Sequence, residues 1–591
     1  MKQFLKFLFA STLGTFLAVF LIILFFFFTM VGVVATMDEG ETDDSVEENT
    51  VLRVEWKYKI SDREEENPFQ GIDLFTMDAQ QPMGLNKILK TIERAENDDK
   101  ISGIFLDMES LPAGSATMQE IRKKLEEFKK SGKFVYSYAN NYGQKAYYLS
   151  TVSDKIFLNP EGFVLFKGLH LQLAYLKHLL EKVGIEAQVI RGPNNKYKSA
   201  VEPLLYDKSS EANKEQLTAL LDATWNDILN QISRTRKISK EDLNKIADNL
   251  ELETAEKAKE LNFVDSVVYR DQVLDFLKEK TGTEKLHLLD FHKYSKLVNS
   301  KKSKKGRETV AVIYAEGDIV QGKSVKGSIG SESLSKTIRK VRKLDRVKAI
   351  VLRVNSPGGD ALAAEVIRRE LQLAADKIPV IISMGNLAAS GGYWISTPGE
   401  FIFADASTIT GSIGVFGVIP NMQKLFNNKL GITFDEVKTN KNADFIDVMK
   451  PMSSFQKEKL NHAIIKIYDE FVERVAKSRK LPESYVDSIA RGRVWAGSDA
   501  VKIGLVDSLG GLTAAVNFAA EKAGIGEKYR VSEYPVQKPF VEKLLEELTG
   551  NAQTRMLKSE MGDYYIFYEQ LKNLKNIKGV QARLPFIMQF D

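Results

Sequence analysis

The run Ala388-Ala-Ser-Gly-Gly392 carries the residue types that acyl chemistry needs. Its serine, Ser390, follows an apolar strand-like stretch and stands where a helix begins. Small neighbours let a substrate backbone come close, and glycine permits the tight turn this requires. Amides at a helix start can hold an anion. A serine there could attack a carbonyl while adjacent N–H groups stabilise the tetrahedral oxyanion. Serine is also a common helix N-cap, and the run is not a Gly-x-Ser-x-Gly elbow, because Ala388 stands two residues before the serine. A second run, Pro357-Gly-Gly359, closes the preceding strand. It is either an ordinary turn or a pair of amides aimed into a site. Together the two runs supply a nucleophile and an oxyanion hole in consecutive strand–loop–helix units.

Such a serine needs a base. Cysteine is absent, and the five histidines (His170, His178, His287, His292 and His462) are scattered, none in a comparable loop. The missing cysteine removes thiolate zinc sites and a disulfide framework, and the scattering of the histidines argues against a Ser-His-Asp triad and a histidine metal cluster. Lysine can serve once burial lowers its pKa. Lys198, in Lys196-Tyr-Lys-Ser-Ala-Val-Glu-Pro203, is a candidate that composition does not select.

The elements that must position these runs alternate. Strands are expected at 310–314, 350–354 and 380–384, with helices at 332–344 and 361–375. Leu334, Ile338 and Val341 share one face of the first helix. Alternation of this kind predicts an α/β fold with largely parallel sheets, whose sites form at the carboxyl ends of strands. Both glycine-rich runs sit there.

The chain also repeats itself. Ser102-Gly-Ile-Phe-Leu-Asp-Met108 aligns with Lys348-Ala-Ile-Val-Leu-Arg-Val354 at an offset of 246 residues. The same offset aligns Ile121-Arg-Lys-Lys-Leu125 with Ile367-Arg-Arg-Glu-Leu371, and Tyr147-Tyr-Leu-Ser150 with Tyr393-Trp-Ile-Ser396. Phe263-Val-Asp-Ser266 matches Leu505-Val-Asp-Ser508 at 242. Two homologous domains are expected, 50–290 and 308–535, with a basic linker over 291–307 and a tail over 536–591. At offset 246, Ser390 falls on Gln144 and Pro357-Gly-Gly359 on Leu111-Pro-Ala113, while Lys198 falls near Asp444, with Lys441 and Lys450 out of register. Each repeat thus keeps half of one site, and one centre per chain is expected.

Length and composition agree. The 591 residues exceed one domain, and 43% apolar with 27% charged is globular composition. A net charge of +4 is too balanced for a general nucleic-acid binder, and no phosphate-binding P-loop occurs. No charged residue occurs from Phe7 to Met37, 31 positions, and seven acids follow between Asp38 and Glu48. A span needs roughly 20 apolar residues, so 1–37 reads as a cytoplasmic stub and an uncleaved transmembrane anchor, longer than a signal-peptide core. Lys2 and Lys6 place the N-terminus in the cytoplasm and the rest outside it. Residues 38–49 form an acidic linker.

The runs 383–396, 354–359, 410–417 and 197–203 resemble the signal peptide peptidase A family in its long, duplicated form, and they are long and occur in the order that family has them. The resemblance covers nearly the whole chain, the anchor and tandem domains included. It implies tandem Clp-protease/crotonase-like domains and a serine endopeptidase working by a Ser/Lys dyad. It implies Ser390 as nucleophile, Lys198 as general base, Ser412 as the hydroxyl that orients the lysine, and the amides of Gly359 and Gly391 as the oxyanion hole. It also implies cleaved, apolar signal peptides as substrates, no cofactor or metal, no nucleic acid, a bacterial inner-membrane location and a homotetramer. Tyr393, Trp394, Val415 and Phe416 are candidates either for an apolar subsite wall or for plain core. Two other classes compete: a crotonase-like acyl-CoA enzyme, which leaves the serine loop and anchor unexplained, and a non-catalytic membrane scaffold, which intact Ser390 and Lys198 oppose.

Overall fold

In the computed structural model the described residues are 2–38, 46–64, 82–300, 306–325, 327–536 and 579–583. The chain divides into two units, Met1–Glu48 and Asn49–Asp591. The first is a single long helix, Lys2–Asp38. Among the described residues no helix is long and apolar enough to cross a membrane. Much of the expected anchor's C-terminal half has side chains outside the described set, as do most of the acidic linker, residues 299–305 of the basic linker and most of the tail; the first part of the expected basic linker is instead a helix, Phe291–Ser300, with Phe291 and Tyr294 buried.

The second unit holds both repeats, and each builds the same parallel sheet. In the first, the strands run in the spatial order Ser266–Val267, Lys155–Leu158, Phe134–Ala139, Ile101–Asp107, Thr50–Val54, Leu288–Asp290. In the second the order is Ser508–Leu509, Phe401–Ala404, Val380–Ala389, Val347–Ser356, Thr309–Glu316, Arg530–Tyr534. Position for position these six strands are ordered identically, so the repeat seen in the sequence is a repeat of topology; the second sheet adds Ile409–Gly411, paired with the end of Val380–Ala389, and Val494–Ala496 antiparallel beyond it. Central strands are nearly continuous apolar runs because helices cover both faces. Ile350, Val351 and Leu352 are fully buried. The helix Ser331–Val341 covers one face with Leu334, Ile338 and Val341, at helical spacing.

All three expected strands are longer than the sequence pattern indicated, the 310–314 strand spanning Thr309–Glu316. The 350–354 strand extends over Val347–Ser356, and the 380–384 strand over Val380–Ala389, up to Ser390 itself. Their pairing breaks register between Val354 and Ser356, where Ser356 meets Ala388. An irregularity of this kind re-aims a strand end. The 332–344 helix ends early, at Val341.

A third sheet joins the repeats. Its order is Ser328–Gly330, Asp318–Val320, Gly358–Asp360, Gly579–Arg583, Phe416–Asn421, Glu186–Arg191. Glu186–Arg191 belongs to the first repeat and pairs antiparallel with Phe416–Asn421 of the second over six residues.

A buried ion cluster fastens the same junction. Arg353, fully buried in the second repeat, donates to Asp62 Oδ1 at 2.8 Å and to Glu120 Oε1 at 2.6 Å, both from the first repeat. It also donates to Ser383 Oγ at 2.9 Å. Burial opposes its charge, but the two carboxylates overrule that and hold its pKa above the ordinary value. Glu120 Oε2 accepts from the Leu512 amide at 2.7 Å. Burial, and then the nearby Glu120 charge, pushes the Asp405 carboxyl well above the usual carboxylate range.

Candidate active site

Ser390 is held in an unusual backbone conformation between strand and helix. It directly precedes the helix Gly391–Ser396, with φ 56° and ψ −114°. A non-glycine residue in such a conformation costs free energy and persists only where its surroundings impose it. Here they do: the Ser390 amide donates to Gly411 O at 2.8 Å, and its carbonyl accepts from the Trp394 amide at 2.8 Å. The strand before it pairs parallel with Ile409–Gly411. The result is a serine with no solvent-exposed surface whose Oγ is aimed at another repeat.

What it meets is Lys198. Lys198 Nζ lies 2.8 Å from Ser390 Oγ and donates to Ser412 Oγ at 3.0 Å and to the Ser412 carbonyl at 2.9 Å. The lysine is 1% exposed, and burial alone drives its pKa well below the ordinary value, with no carboxylate opposing the shift. A neutral amine retains two hydrogens, enough for both Ser412 oxygens, and turns its lone pair toward the Ser390 hydroxyl. Ser412, also at positive φ (50°), is fixed by its amide's bond to Arg493 O at 2.7 Å.

The lysine loop is clasped by the second repeat. The Tyr197 amide donates to Arg491 O at 2.9 Å, and the Gly492 amide to Ile413 O at 2.8 Å. Gln216 Nε2 donates to Tyr197 O and to Ser199 Oγ, each at 3.0 Å, while its Oε1 accepts from the Val494 amide. Gly492, at φ 80°, lies so close that a Cβ there would stand 2.5 Å from Lys198 Cβ. Sequence reasoning missed this glycine, which becomes legible only when the loops are brought together.

The Pro357-Gly-Gly359 turn reaches the same place. Gly358 has φ 96°, and its amide donates to Ser356 Oγ at 3.1 Å. A Cβ on Gly358 would be 2.6 Å from the Gly391 amide nitrogen, and one on Gly391 would be 3.1 Å from the Gly359 amide nitrogen. Any side chain would hold these backbones apart. Five expected site residues, Ser390, Lys198, Ser412, Gly359 and Gly391, therefore converge on one point.

Other expectations resolve differently. Lys441 is exposed, and Lys450 pairs with Asp444 at 2.6 Å and Glu436 at 2.5 Å, so its hydrogen bonds to these acids raise its pKa. Neither is poised as a base. Tyr393 and Trp394 belong to the core: the Tyr393 hydroxyl donates to Leu505 O at 2.7 Å, and Trp394 packs 4.4 Å from Phe471. Val415 lies in the same core, and Phe416 packs with Val201 and Leu204.

With the geometry stated, comparison with known proteins is direct. The model of "Peptidase family S49" matches twice, over residues 127–284 and 372–526. Protease 4 of Salmonella typhi is 37% identical over 501 residues, covering 82% of this chain and 80% of that one. Protease 4 of Haemophilus influenzae is 34% identical, covering 80% and 79%. The chloroplastic serine protease SPPA of Arabidopsis thaliana is 34% identical, covering 86% and 75%. Tandem α/β domains with these relatives define a serine-type endopeptidase. The chain belongs to peptidase family S49, and the expected membership of the long, duplicated signal peptide peptidase A group is borne out.

Proposed function

We propose that this peptidase works through a single Ser390/Lys198 dyad assembled across its two repeats. The observation that carries the proposal is the 2.8 Å contact between Lys198 Nζ and Ser390 Oγ, buried and with Ser412 as the amine's remaining partner. Neutral Lys198 takes the hydroxyl proton as Ser390 Oγ attacks a peptide carbonyl. The oxyanion gathers charge beside the amides of Gly359 and Gly391, where preorganised donors are worth most. The lysine ammonium then protonates the leaving amine. Water, deprotonated by the same lysine, hydrolyses the ester.

The substrates we assign are apolar peptides, the signal peptides left in a membrane after cleavage. The uncharged run 7–37 with lysines before it and acids after it supports a single-pass anchor, with the repeats on the extracytoplasmic side of a bacterial inner membrane. Repeat boundaries at 50–290 and 308–535 fit the two sheets. Exposed Leu430, Ile432, Phe434 and Val437 form an apolar run suited to subunit contact in a homotetramer.

The test compares turnover of an apolar signal peptide by the wild type, Ser390→Ala and Lys198→Ala, each shown folded. Loss of turnover in both is expected. Full activity in Ser390→Ala would overturn the nucleophile, and full activity in Lys198→Ala with loss in Lys441→Ala would overturn the base. Deleting residues 1–37 should move the protein from the membrane to the soluble fraction.

A further inference from the structure

Lys198 comes from one repeat, Ser390 and Ser412 from the other, so a small slip between their loops would part them. One side chain spans that seam beside the site. Arg493, in the second repeat, has its guanidinium carbon 4.7 Å from the centre of the Tyr197 ring and 4.6 Å from the centre of the Trp495 ring. Tyr197 belongs to the first repeat and directly precedes Lys198. Arg493 Nη1 also donates to Glu215 Oε1 at 2.7 Å, and the same oxygen accepts from the Tyr197 hydroxyl at 3.1 Å. The guanidinium is thus held by two rings and a carboxylate, and Tyr197 and Glu215 both lie in the first repeat. Arginine suits this place because its planar, delocalised cation stacks on aromatic faces while its N–H groups pair with a carboxylate.

The main chain of the same residue serves the other half of the site. The Arg493 carbonyl accepts from the Ser412 amide at 2.7 Å, and the two Ser412 oxygens accept from the Lys198 amine. The contacts therefore close a ring: Lys198 to Ser412, Ser412 to the Arg493 carbonyl, the Arg493 guanidinium to Tyr197, and Tyr197 through one peptide bond back to Lys198. A lysine side chain is a flexible four-carbon stem. Here Ser412 fixes its head and Tyr197 its root, and Arg493 holds both. The repeat shows that this clamp is not part of the shared scaffold. At the offset of 242 residues that aligns Phe263 with Leu505, Arg493 falls on Glu251 and Trp495 on Glu253. The repeat without the serine has neither the cation nor the ring.

We propose that Arg493 is a positioning residue for this peptidase: clamped between Tyr197 and Trp495, it sets the reach of Lys198 to Ser390. This rests on the Ser390/Lys198 reading above. Arg493 makes and breaks no bond. It acts through the lysine, so its loss shows in kcat and leaves KM as it was.

The test is turnover of an added apolar signal peptide by the full chain as wild type, Ser390→Ala, Arg493→Ala, Tyr197→Leu and the Arg493→Ala/Tyr197→Leu pair, each shown folded. Arg493→Ala should lower kcat about tenfold with KM within about twofold, as a small misplacement of a catalytic group does. Tyr197→Leu should do the same, and the pair should lose little more than either alone, because both break one contact. Methylguanidinium, added below denaturing concentrations, should raise the turnover of Arg493→Ala about threefold or more by refilling the slot, and should leave Tyr197→Leu unchanged. Arg493→Lys keeps the charge but brings no plane to the rings, and should keep less than half of the wild-type kcat. It decides the matter where Arg493→Ala does not fold. Wild-type kcat in either arginine variant would overturn the proposal, as would a loss that falls on KM. A multiplied loss in the pair, or no recovery with methylguanidinium, would show that Arg493 does not act through the Tyr197 ring and would overturn the clamp. Failure of the dyad reading shows separately, as turnover that Ser390→Ala leaves intact.

Discussion

The two repeats share a skeleton and differ at one loop. The Tyr147 hydroxyl donates to Phe263 O at 3.0 Å, and the Tyr393 hydroxyl donates to Leu505 O at 2.7 Å. Asp265 caps the Ile156 amide and Asp507 the Ile402 amide, each at 2.7 Å. Arg236 holds the first aspartate and Arg479 the second. The helices Glu211–Arg236 and Ser454–Arg479 have the same length and a serine N-cap each. Where the second repeat has Ser390, the first has Gln144, whose Oε1 accepts from the Lys167 and Gly168 amides and whose Nε2 donates to Gly168 O. The residue before the helix there, Gly143, sits at a relaxed φ of −68°, against 56° for Ser390. The first repeat satisfies its own loop, whereas the second carries a strained serine whose hydroxyl is bonded by the other repeat's lysine. The scaffold hydrogen bonds recur in both repeats because the same fold needs them twice, whereas the strained conformation occurs only in the repeat that carries the proposed nucleophile.

Substitutions can break this asymmetry, and the largest effect is expected at its centre. Ser390→Ala should lower kcat by about 10⁴-fold or more, read as peptide turnover on folded protein. Arg353→Met should cost about 3–5 kcal/mol, because it strands the Asp62 and Glu120 carboxylates in the interior. Denaturant unfolding measures that, and retention of wild-type stability would mean the junction does not depend on the cluster.

Lys198→Met should abolish turnover while stabilising the fold. A lysine whose pKa is lowered by folding binds fewer protons folded than unfolded, so stability rises with pH from its folded pKa toward the ordinary 10.5. The methionine chain should lose that pH dependence and gain about 2–4 °C in Tm at neutral pH for each kcal/mol recovered. In the wild type, turnover should fall as pH drops through the lysine's folded pKa, because the protonated amine cannot accept the Ser390 proton. A flat profile from roughly pH 6 to 9, with chemistry limiting, would remove lysine as base.

Gly492→Ala should cut kcat about tenfold to a hundredfold by displacing Lys198, as a small misplacement of a catalytic group does. The smallest effect sharpens the comparison most: Gln144→Ser should leave turnover within about twofold and cost about 1–2 kcal/mol for lost loop hydrogen bonds. Labelling of that serine by a serine-reactive probe would show that side-chain identity alone, without strain and lysine, makes a nucleophile.

Much of this was legible in the chain. Ser390 and the Pro357-Gly-Gly359 turn stand out because glycines and small residues at strand ends are local signals. The repeat, read at a fixed offset, showed that each half lacked what the other kept. Arg353 escaped notice as one charge within Ile350–Val354, an apolar run, because its partners lie more than 230 residues away. In the tail the sequence has an amphipathic start over 540–548 and an aromatic-rich run over 564–568, the latter reading as a packing or subunit contact, and both lie outside the described residues. Gly579–Arg583 gave no sign of itself, since a strand recruited between two distant edges needs no alternation of its own. Tyr393 and Trp394 read equally as wall or core, and only their partners decide.

The Arg353 cluster also has a meaning for synthesis. The first repeat leaves the ribosome first, with Asp62 and Glu120 hydrated and without their cation. Arg353 arrives in the strand that leads into the Pro357 turn, and it donates to Ser383 in the strand that leads to Ser390. Charge neutralisation, docking of the halves and the meeting of lysine with serine are thus tied to one event. On the proposed dyad, a nascent chain that has made only one half, or has made both without seating them, brings no Lys198 to Ser390.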